Sequence, residues 1–417
     1  MVACPLNASL PGIDRQPAVP SAATPALAVA RAPAPAPVTV DCLTGLDALD
    51  ALEPVWNRTV ERSGLTHPFA SYEWVRSWCE TQIDPSALRV HVARAGHEIT
   101  GLAPTVDRRI GPGGFVRVRR GISCPHTPRL DFVVAAHHAE TWRALWDALA
   151  PQGLASLELR DLADDGATLA AIESLAREQG LPAGRRLTLD SPWIDLSGSW
   201  EAFCARLKRR TREVLRNRRR RLEREGPIAF ETIRTRDGLH EALADAFALE
   251  AAAWKGSAGT AINRHPRLVA FYTRLAERAA DRGWLRLQFL LVAGRRIAFG
   301  FSLQYAGRLY SMKTGYDPAF AACSPGQLFF EMSIRAACDE GASAYDLLGA
   351  RDAWKLEWTD LTRPHYLLSV FPDSMPGRAA HAMRYRLLPA IRRSRPYAAA
   401  RNIAHRIRRR RRHGHIG

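Results

Sequence analysis

The sequence predicts an α+β protein built from two lobes, each a mixed, mostly antiparallel sheet flanked by helices. Stretches with the two-residue alternation of strands follow one another across short turns, as at Ala293-Gly294 and Ala306-Gly307. This pattern favours antiparallel neighbours over a doubly wound parallel sheet. In addition, two helices, a three-strand meander, a helix and a further strand occur twice in the same order along the chain.

The periodicity of apolar residues predicts the individual helices and strands. In the first half they predict helices over Gly45–Arg62, Ser71–Ile83, Ala139–Leu149 and Gly166–Gln179, and strands over Leu88–Arg94, Arg129–Ala135, Ser156–Arg160 and Arg185–Leu189. In the second half they predict helices over Glu201–Glu225, Asp237–Trp254 and Pro266–Arg282 and from Pro325, and strands around Ile228–Phe230, Leu285–Leu291, Phe299–Tyr305, Leu309–Gly315, Ala344–Leu348 and Tyr366–Phe371.

Composition divides the chain into four parts. Residues 1–37 are rich in Ala and Pro and predict a disordered leader. Residues 38–190 and 191–372 are the two predicted lobes, and residues 373–417 form a basic amphipathic tail. The formal net charge of +17 is concentrated, because Arg206–Glu225 carries +8 and Met375–Gly417 carries +13. Such basic elements suit phosphates, anionic lipid or nucleic acid, and a solvated basic face is the alternative for the helix.

Several classes of protein are disfavoured by the sequence. Its seven Cys are scattered without a Cys-x-x-Cys pair, which favours reduced thiols and a cytoplasmic location. No apolar run approaches the roughly 20 residues that a membrane-spanning helix needs. Walker and His-Glu-x-x-His motifs are missing, so no metal site is predicted. Gly111-Pro112-Gly113-Gly114 predicts a loop or hairpin turn, without the spacing of a dinucleotide motif.

The most informative stretch runs from Ser311 to Trp358. A strand enters a loop, a helix begins at Ser324-Pro325-Gly326, and a second strand and a Trp/Lys-rich segment follow. A small residue and a proline at a helix start leave backbone N–H groups free to hold an anion. This strand–helix–strand unit is therefore the candidate functional site.

Local sequences here resemble the GNAT acetyltransferases, and in particular their CelD-like, cellulose-biosynthesis-associated branch, which is related to the FemA/FemB/FemX proteins. The matching stretches lie between Trp200 and Trp358 and include Arg218-Arg219-Arg220-Arg221-Leu222-Glu223, Trp254-Lys255-Gly256, Gly259-Thr260-Ala261, Phe271-Tyr272, Gly315-Tyr316-Asp317, Ser324-Pro325-Gly326, Tyr345-Asp346-Leu347-Leu348-Gly349 and Trp354-Lys355-Leu356-Glu357-Trp358. The resemblance implies two tandem GNAT-like lobes. It also implies a transferase with acyl-CoA (acetyl-CoA) as the donor.

The resemblance also suggests roles for six residues. Backbone N–H groups of Ser324, Gly326 and Gln327 would hold the donor pyrophosphate, with simple helix capping as the alternative. Asp346 is the candidate general base, since a carboxylate within a central strand needs a specific partner; a structural ion pair is the alternative. Tyr316 would act as general acid to a thiolate. Lys355 would bind an anion or stabilise an oxyanion, unless it is a snorkelling lysine.

The expected acceptor is a small molecule or glycan precursor, polar or anionic, linked to polysaccharide or cell-envelope metabolism. One alternative is a non-catalytic accessory protein of polysaccharide synthesis, which the single glycine of Ala321–Gln327 favours, because GNAT enzymes carry Gln/Arg-x-x-Gly-x-Gly/Ala there. The other is a Fem-like aminoacyl-tRNA-dependent transferase.

The tail predicts a peripheral location at the inner face of the membrane. From Pro396 onward, apolar residues share one helical face and arginines occupy the rest, so residues 376–417 suit an anionic membrane surface. Nucleic acid is the less favoured partner, because no aromatic residues are interleaved for base stacking.

Overall fold

The computed structural model of the protein describes residues 36–123, 128–252 and 261–393. The predicted leader up to residue 35, the Trp254-Lys255-Gly256 motif and the amphipathic segment from Pro396 lie outside the described residues.

The helices of the described residues follow the predicted order. Their bounds are α1 Gly45–Asp50, α2 Glu53–Arg62, α3 Tyr72–Gln82, α4 His138–Leu149, α5 Ala167–Glu178, α6 Trp200–Arg206, α7 Arg209–Glu223, α8 Leu239–Ala252, α9 Pro266–Asp281, α10 Pro325–Asp339, α11 Met375–Ala382 and α12 Leu388–Arg393. Two predicted helices are each split in two: the one over Gly45–Arg62 and the one over Glu201–Glu225. The second breaks because Leu207 adopts an extended conformation with ψ 140°.

The strands alternate with these helices. Their bounds are β1 Val38–Thr44, β2 Leu88–Ala95, β3 Glu98–Ile110, β4 Val116–Gly121, β5 Val133–Val134, β6 Ser156–Ala163, β7 Ala183–Asp195, β8 Ile228–Ile233, β9 Leu285–Val292, β10 Arg295–Tyr305, β11 Arg308–Tyr316, β12 Ala344–Asp346 and β13 Thr362–Val370. The strand predicted over Arg129–Ala135 is reduced to the two residues of β5.

The strands form one continuous mixed sheet in the order β1-β2-β3-β4-β6-β13-β7-β12-β11-β10-β9-β8, with β5 paired to β3. Neighbours are antiparallel except in two places, β4 with β6 and β11 with β12. In both places a helix connects the parallel strands, as parallel pairing requires. The predicted α+β class with mostly antiparallel sheets is therefore confirmed.

The two halves exchange their final strands. β13, from the end of the second half, lies between β6 and β7. β7 ends beside β12, where Trp193, Ile194 and Asp195 pair with Asp346, Tyr345 and Ala344. The boundary predicted between residues 190 and 191 falls inside β7, so this strand belongs to the sheet of both halves.

The backbone conformation shows an internal repeat that is not apparent from the residue types. His137 and Ser324 have left-handed φ values of 45° and 52° directly before α4 and α10. Asp161 and Leu348 have φ values of 61° and 50° within or just after the parallel strands β6 and β12. In each half the two residues are 24 positions apart. Left-handed backbone is uncommon for residues other than glycine, so its recurrence indicates two equivalent helix–strand units.

Buried aromatic rings connect the helices of both halves to the sheet. The ring of Trp74 in α3 lies 5.3 Å from that of Phe271 in α9, and the Tyr272 ring lies 5.4 Å from that of Phe301 in β10. These edge-on contacts fix α9, and with it Tyr272, against the sheet. In the part of the chain described here, no helix is long and apolar enough to cross a bilayer.

Candidate functional site

A cleft opens where β11 and β12 part. The two strands pair in parallel over only three positions, ending with Tyr310 opposite Asp346. β11 then continues to Tyr316 beside β10, whereas the chain beyond β12 turns away through Leu348 and Gly349, both with positive φ. A cavity of about 600 Å³ fills the gap. Its walls include the edge of β11 from Ser311 onward, the loop after β12 and the start of α10.

A β-bulge shapes the β11 wall. Phe301 of β10 pairs with Lys313, and the next residue, Ser302, pairs with Ser311. Met312 is therefore an extra residue on β11, and it lines the cavity. A bulge of this kind turns the local backbone and re-aims its polar groups.

The start of α10 also lines the cavity. The three residues predicted to hold the pyrophosphate, Ser324, Gly326 and Gln327, all line the cavity, but their backbone N–H groups differ in availability. Ser324 N–H donates to Ala321 O at 3.0 Å, and Gln327 N–H donates to Ser324 O at 3.1 Å. The Gly326 N–H has no acceptor among the described residues. Of the three predicted anion donors, this amide is the available one.

Side chains at this helix start do not act as simple caps. Ser324 makes no capping hydrogen bond through its side chain. A Cβ added at Gly326 would meet only Tyr316 Cδ1 at 3.6 Å, an ordinary contact. The fold therefore does not require glycine at 326 for steric reasons. The Gln327 side chain instead donates to Glu357 Oε2 at 3.1 Å, which links α10 to the segment after β12.

Tyr316 lies at the end of β11 and on the cavity wall. Two further residues of this wall were missed. Lys313 is half-buried, with its Nζ 5.7 Å from the centre of the Tyr272 ring, and both side chains line the cavity. The bulge at Met312 shifts the register of β11 beside Lys313, and no local sequence pattern signals this shift.

Lys355 is buried and its ammonium group is already coordinated. Nζ donates to Leu348 O at 2.7 Å and to Ala350 O at 3.0 Å, and it lies 3.1 Å from Asp352 Oδ2. These bonds hold the loop that forms one cavity wall. The geometry favours this structural role over that of an oxyanion donor. Asp352 is the one carboxylate among the described residues that line the cavity.

Asp346 lies behind the cavity, does not line it, and is 3% exposed. Arg129 Nη2 donates to its Oδ2, Arg363 Nη1 lies 3.7 Å from the same oxygen, and Leu348 N–H donates to Oδ1 at 3.0 Å. Both oxygens are therefore engaged. The ion-pair alternative fits this geometry better than the role of general base.

The equivalent gap in the first half, between β4 and β6, is closed. Leu130 N–H donates to Asp161 O at 3.1 Å, and the Leu130 side chain covers Gly121 at the end of β4, where an added Cβ would lie 2.3 Å from Leu130 Cδ2. The neighbouring Pro128 lines the cavity of the second half. The same segment thus fills one gap and forms part of the wall of the other.

Within the described ranges, no group of three or more His, Cys, Asp or Glu side chains is arranged to hold a metal ion.

Comparison with known proteins identifies the class of the second half. Residues 209–356 match the family model described as Acetyltransferase (GNAT) domain. The cleft, the bulge and the α10 start all lie within this range, so the part of the chain that contains the site is similar to a GNAT acetyltransferase domain. No curated protein matches the sequence significantly.

Solved structures extend the likeness to both halves. FemX is 11% identical, with a TM-score of 0.56, over 80% of this chain and 98% of its own. A conserved protein of unknown function from Bacteroides thetaiotaomicron VPI-5482 is 13% identical, with a TM-score of 0.50, over 77% and 97%. A tandem GNAT protein from the clavulanic acid biosynthesis pathway is 14% identical, with a TM-score of 0.43, over 81% and 99%.

The first two structures show the shared fold, and the chain therefore has the predicted architecture of two tandem GNAT-like lobes. The relation to FemX-type proteins is confirmed at the level of fold. The narrower CelD-like assignment stays a prediction.

Arg129→Met tests the structural role of Asp346. It leaves the buried carboxylate with Arg363 alone, so we expect the free energy of unfolding to fall by about 3–5 kcal/mol in urea denaturation. The double variant Arg129→Met/Asp346→Leu also removes the buried carboxylate, so it should recover most of the lost free energy of unfolding. Equal stability of wild type and Arg129→Met would contradict this role.

His365 predicts a pH dependence of stability. Burial, reinforced by the charge of Arg129, lowers the pKa of His365 to about 4, from about 6.5 in the unfolded chain. The unfolded state therefore binds the extra proton first as the pH falls. The free energy of unfolding is therefore unaffected by His365 above about pH 6.5. It falls by up to about 3 kcal/mol between pH 6.5 and pH 4. Urea denaturation at several pH values measures it, and His365→Asn should reduce the slope. An unchanged slope in that variant would exclude His365 as the cause.

Proposed function

We propose that the second lobe is an acyltransferase that moves an acyl group from acyl-CoA to an amine or hydroxyl of a polar acceptor. The observation that carries this proposal is the cavity between β11 and β12, which is lined by both a strand edge and the start of α10. A donor with an extended arm and a diphosphate would use both of these walls.

The strand edge suits the amide-containing arm of coenzyme A. Beyond Tyr310, β12 no longer pairs with β11, so the edge of β11 faces the cavity. An extended ligand with two amides would bind there as an additional strand. Its diphosphate would then reach the Gly326 N–H, where the positive end of the α10 dipole favours an anion.

We place the thioester of the donor beside the β-bulge at Met312. Its backbone is turned relative to a regular strand, and a re-aimed N–H group would donate to the thioester carbonyl as negative charge develops. In the reaction, the acceptor nitrogen or oxygen forms a bond to the acyl carbon and the C–S bond breaks. The acceptor loses a proton and the leaving thiolate gains one.

Two side chains of the cavity wall match these proton transfers. Tyr316 is a phenol on the cavity wall and would protonate the thiolate. Asp352 would take the proton from the acceptor, because its side chain lines the cavity and is exposed, whereas Asp346 is buried and does not line the cavity. Lys355 would act by fixing the Asp352 loop.

An anionic acceptor is supported by the surface of α7. Arg212, Arg216 and Arg220 follow one another at helical spacing, are exposed, and have no acidic partner among the described residues. The helix is tied to α10 by the Arg219 Nη2–Glu331 Oε2 ion pair of 3.0 Å. Guanidinium groups bind phosphate and carboxylate well. An acceptor from polysaccharide or cell-envelope metabolism is the substrate class that the family resemblance adds.

Isothermal calorimetry on the full chain with acetyl-CoA, CoA and desulfo-CoA tests the donor. We expect binding in the micromolar range or tighter, abolished in Gly326→Trp because the indole fills the cavity at the start of α10. Gly326→Ala is the matched control, since its Cβ has space, and it should bind within about threefold of wild type. No binding of any of the three compounds would contradict the acyl-CoA donor and favour the accessory or aminoacyl-tRNA alternatives.

Tyr316→Phe tests the proton donor. It keeps the ring and removes the hydroxyl, so we expect kcat for thiol release with an amino-sugar panel to fall about 100-fold. Acetyl-CoA affinity should stay near wild type. A variant with wild-type kcat would remove Tyr316 from the mechanism while leaving the donor site intact.

A further inference from the structure

A hairpin tip in the first lobe exposes apolar side chains among arginines. It joins β3 to β4, and residues 108–117 contain no acidic residue. Phe115 is 86% exposed and Val116 41% exposed. Arg108, Arg109 and Arg117 are exposed beside them. Exposed apolar groups in this density are characteristic of an interaction surface.

The last described helical segment has the same composition. Between α11 and α12, Met383–Leu387 forms one π-helical turn that keeps the helix continuous. The inner side is anchored, since His381 Nε2 lies 3.1 Å from Ala183 O and the Tyr385 ring packs on Gly184. The outer side exposes five large apolar residues and basic Arg386 and Arg393. The five are Met375, Met383, Leu387, Leu388 and Ile391.

Glu158 of β6 connects these two elements. It accepts a hydrogen bond from Arg384 of the helical segment and, at 2.9 Å, from Arg120 Nε of β4, the strand that begins at the hairpin tip. Burial acts to raise the pKa of Glu158, but the hydrogen bonds and charges of the two arginines outweigh it and lower the pKa. Glu158 is therefore held ionised, and it ties both exposed elements to the same region of the sheet.

We infer that the hairpin tip and the outer side of the 375–393 helical segment form a docking surface for an anionic lipid bilayer. Aromatic and aliphatic side chains insert at the level of the headgroups, while arginines bind the lipid phosphates. The chain from Met375 to Gly417 adds thirteen Arg and no acidic residue, so charge complementarity favours a negative partner.

Other occupants fit these observations less well. A second copy of the chain would bring two positively charged surfaces together without acidic residues to neutralise them. Nucleic acid would leave Met383 and Leu387 without a favourable environment, because its binding sites rely on aromatic stacking along a basic groove. A bilayer satisfies both the apolar and the basic groups. This surface is independent of the proposed acyl-transfer site.

Vesicle flotation with the full chain tests the inference. We expect binding to vesicles of phosphatidylcholine mixed with phosphatidylglycerol and none to phosphatidylcholine alone. The triple variant Phe115→Ser/Met383→Ser/Leu387→Ser keeps every charge and should weaken binding at least about tenfold. Leu361→Ser is the matched control, since Leu361 is 45% exposed but lies outside both elements, and it should bind like wild type.

Three results would overturn the inference: no binding of the wild type to anionic vesicles, equal binding of the triple variant and wild type, or a wild-type dimer in light scattering that the triple variant loses while vesicle binding is absent. An unchanged melting temperature of the triple variant establishes that it folds. The double variant Arg108→Ser/Arg109→Ser should also weaken vesicle binding. Arg212→Ser/Arg216→Ser on α7 removes the same number of charges and should weaken it less.

Discussion

The short parallel pairing of β11 with β12 is the constraint on which the site depends. Parallel hydrogen bonds join the strands over three positions, and the pairing stops at Asp346. At that point the carboxylate is held by Arg129 from the first lobe and by Arg363 from the exchanged strand β13. A buried carboxylate with two guanidinium partners is costly to disrupt. These ion pairs therefore fix the place where the strands separate and join the two lobes there.

The same constraint explains why the two lobes differ although their backbones repeat. Each has a helix preceded by a left-handed residue and followed by a parallel strand. In the first lobe Leu130 occupies the gap between the parallel strands, whereas in the second lobe the gap is a cavity. Because Leu130 and Arg129 are adjacent, closing the first gap also places the guanidinium that holds Asp346. The first lobe thus supports the site of the second.

Local patterns predicted the meander and the helix start but not the long-range partners. The alternation over β9, β10 and β11 and the Ala-Gly turns between them depend on neighbouring residues, so the sequence was sufficient for these strands. Strand exchange was not predictable, since β13 pairs with β6 and β7 without any local signal. Likewise, Asp346 was recognised as needing a partner, but Arg129 lies 217 residues away. Lys355, by contrast, bonds within its own segment, to Leu348 O, Ala350 O and Asp352, and these contacts depend on the fold of the loop after β12.

Hydrogen exchange of the backbone amides with and without acetyl-CoA tests the central claim most directly, because it reports on the edge of β11 itself. If the donor lies along that edge, exchange should slow at Ser311–Tyr316 and in the first turn of α10. The hairpin tip at residues 108–117 should be unchanged. Unaltered exchange at both sites under saturating acetyl-CoA, or protection confined to other parts of the chain, would contradict the account.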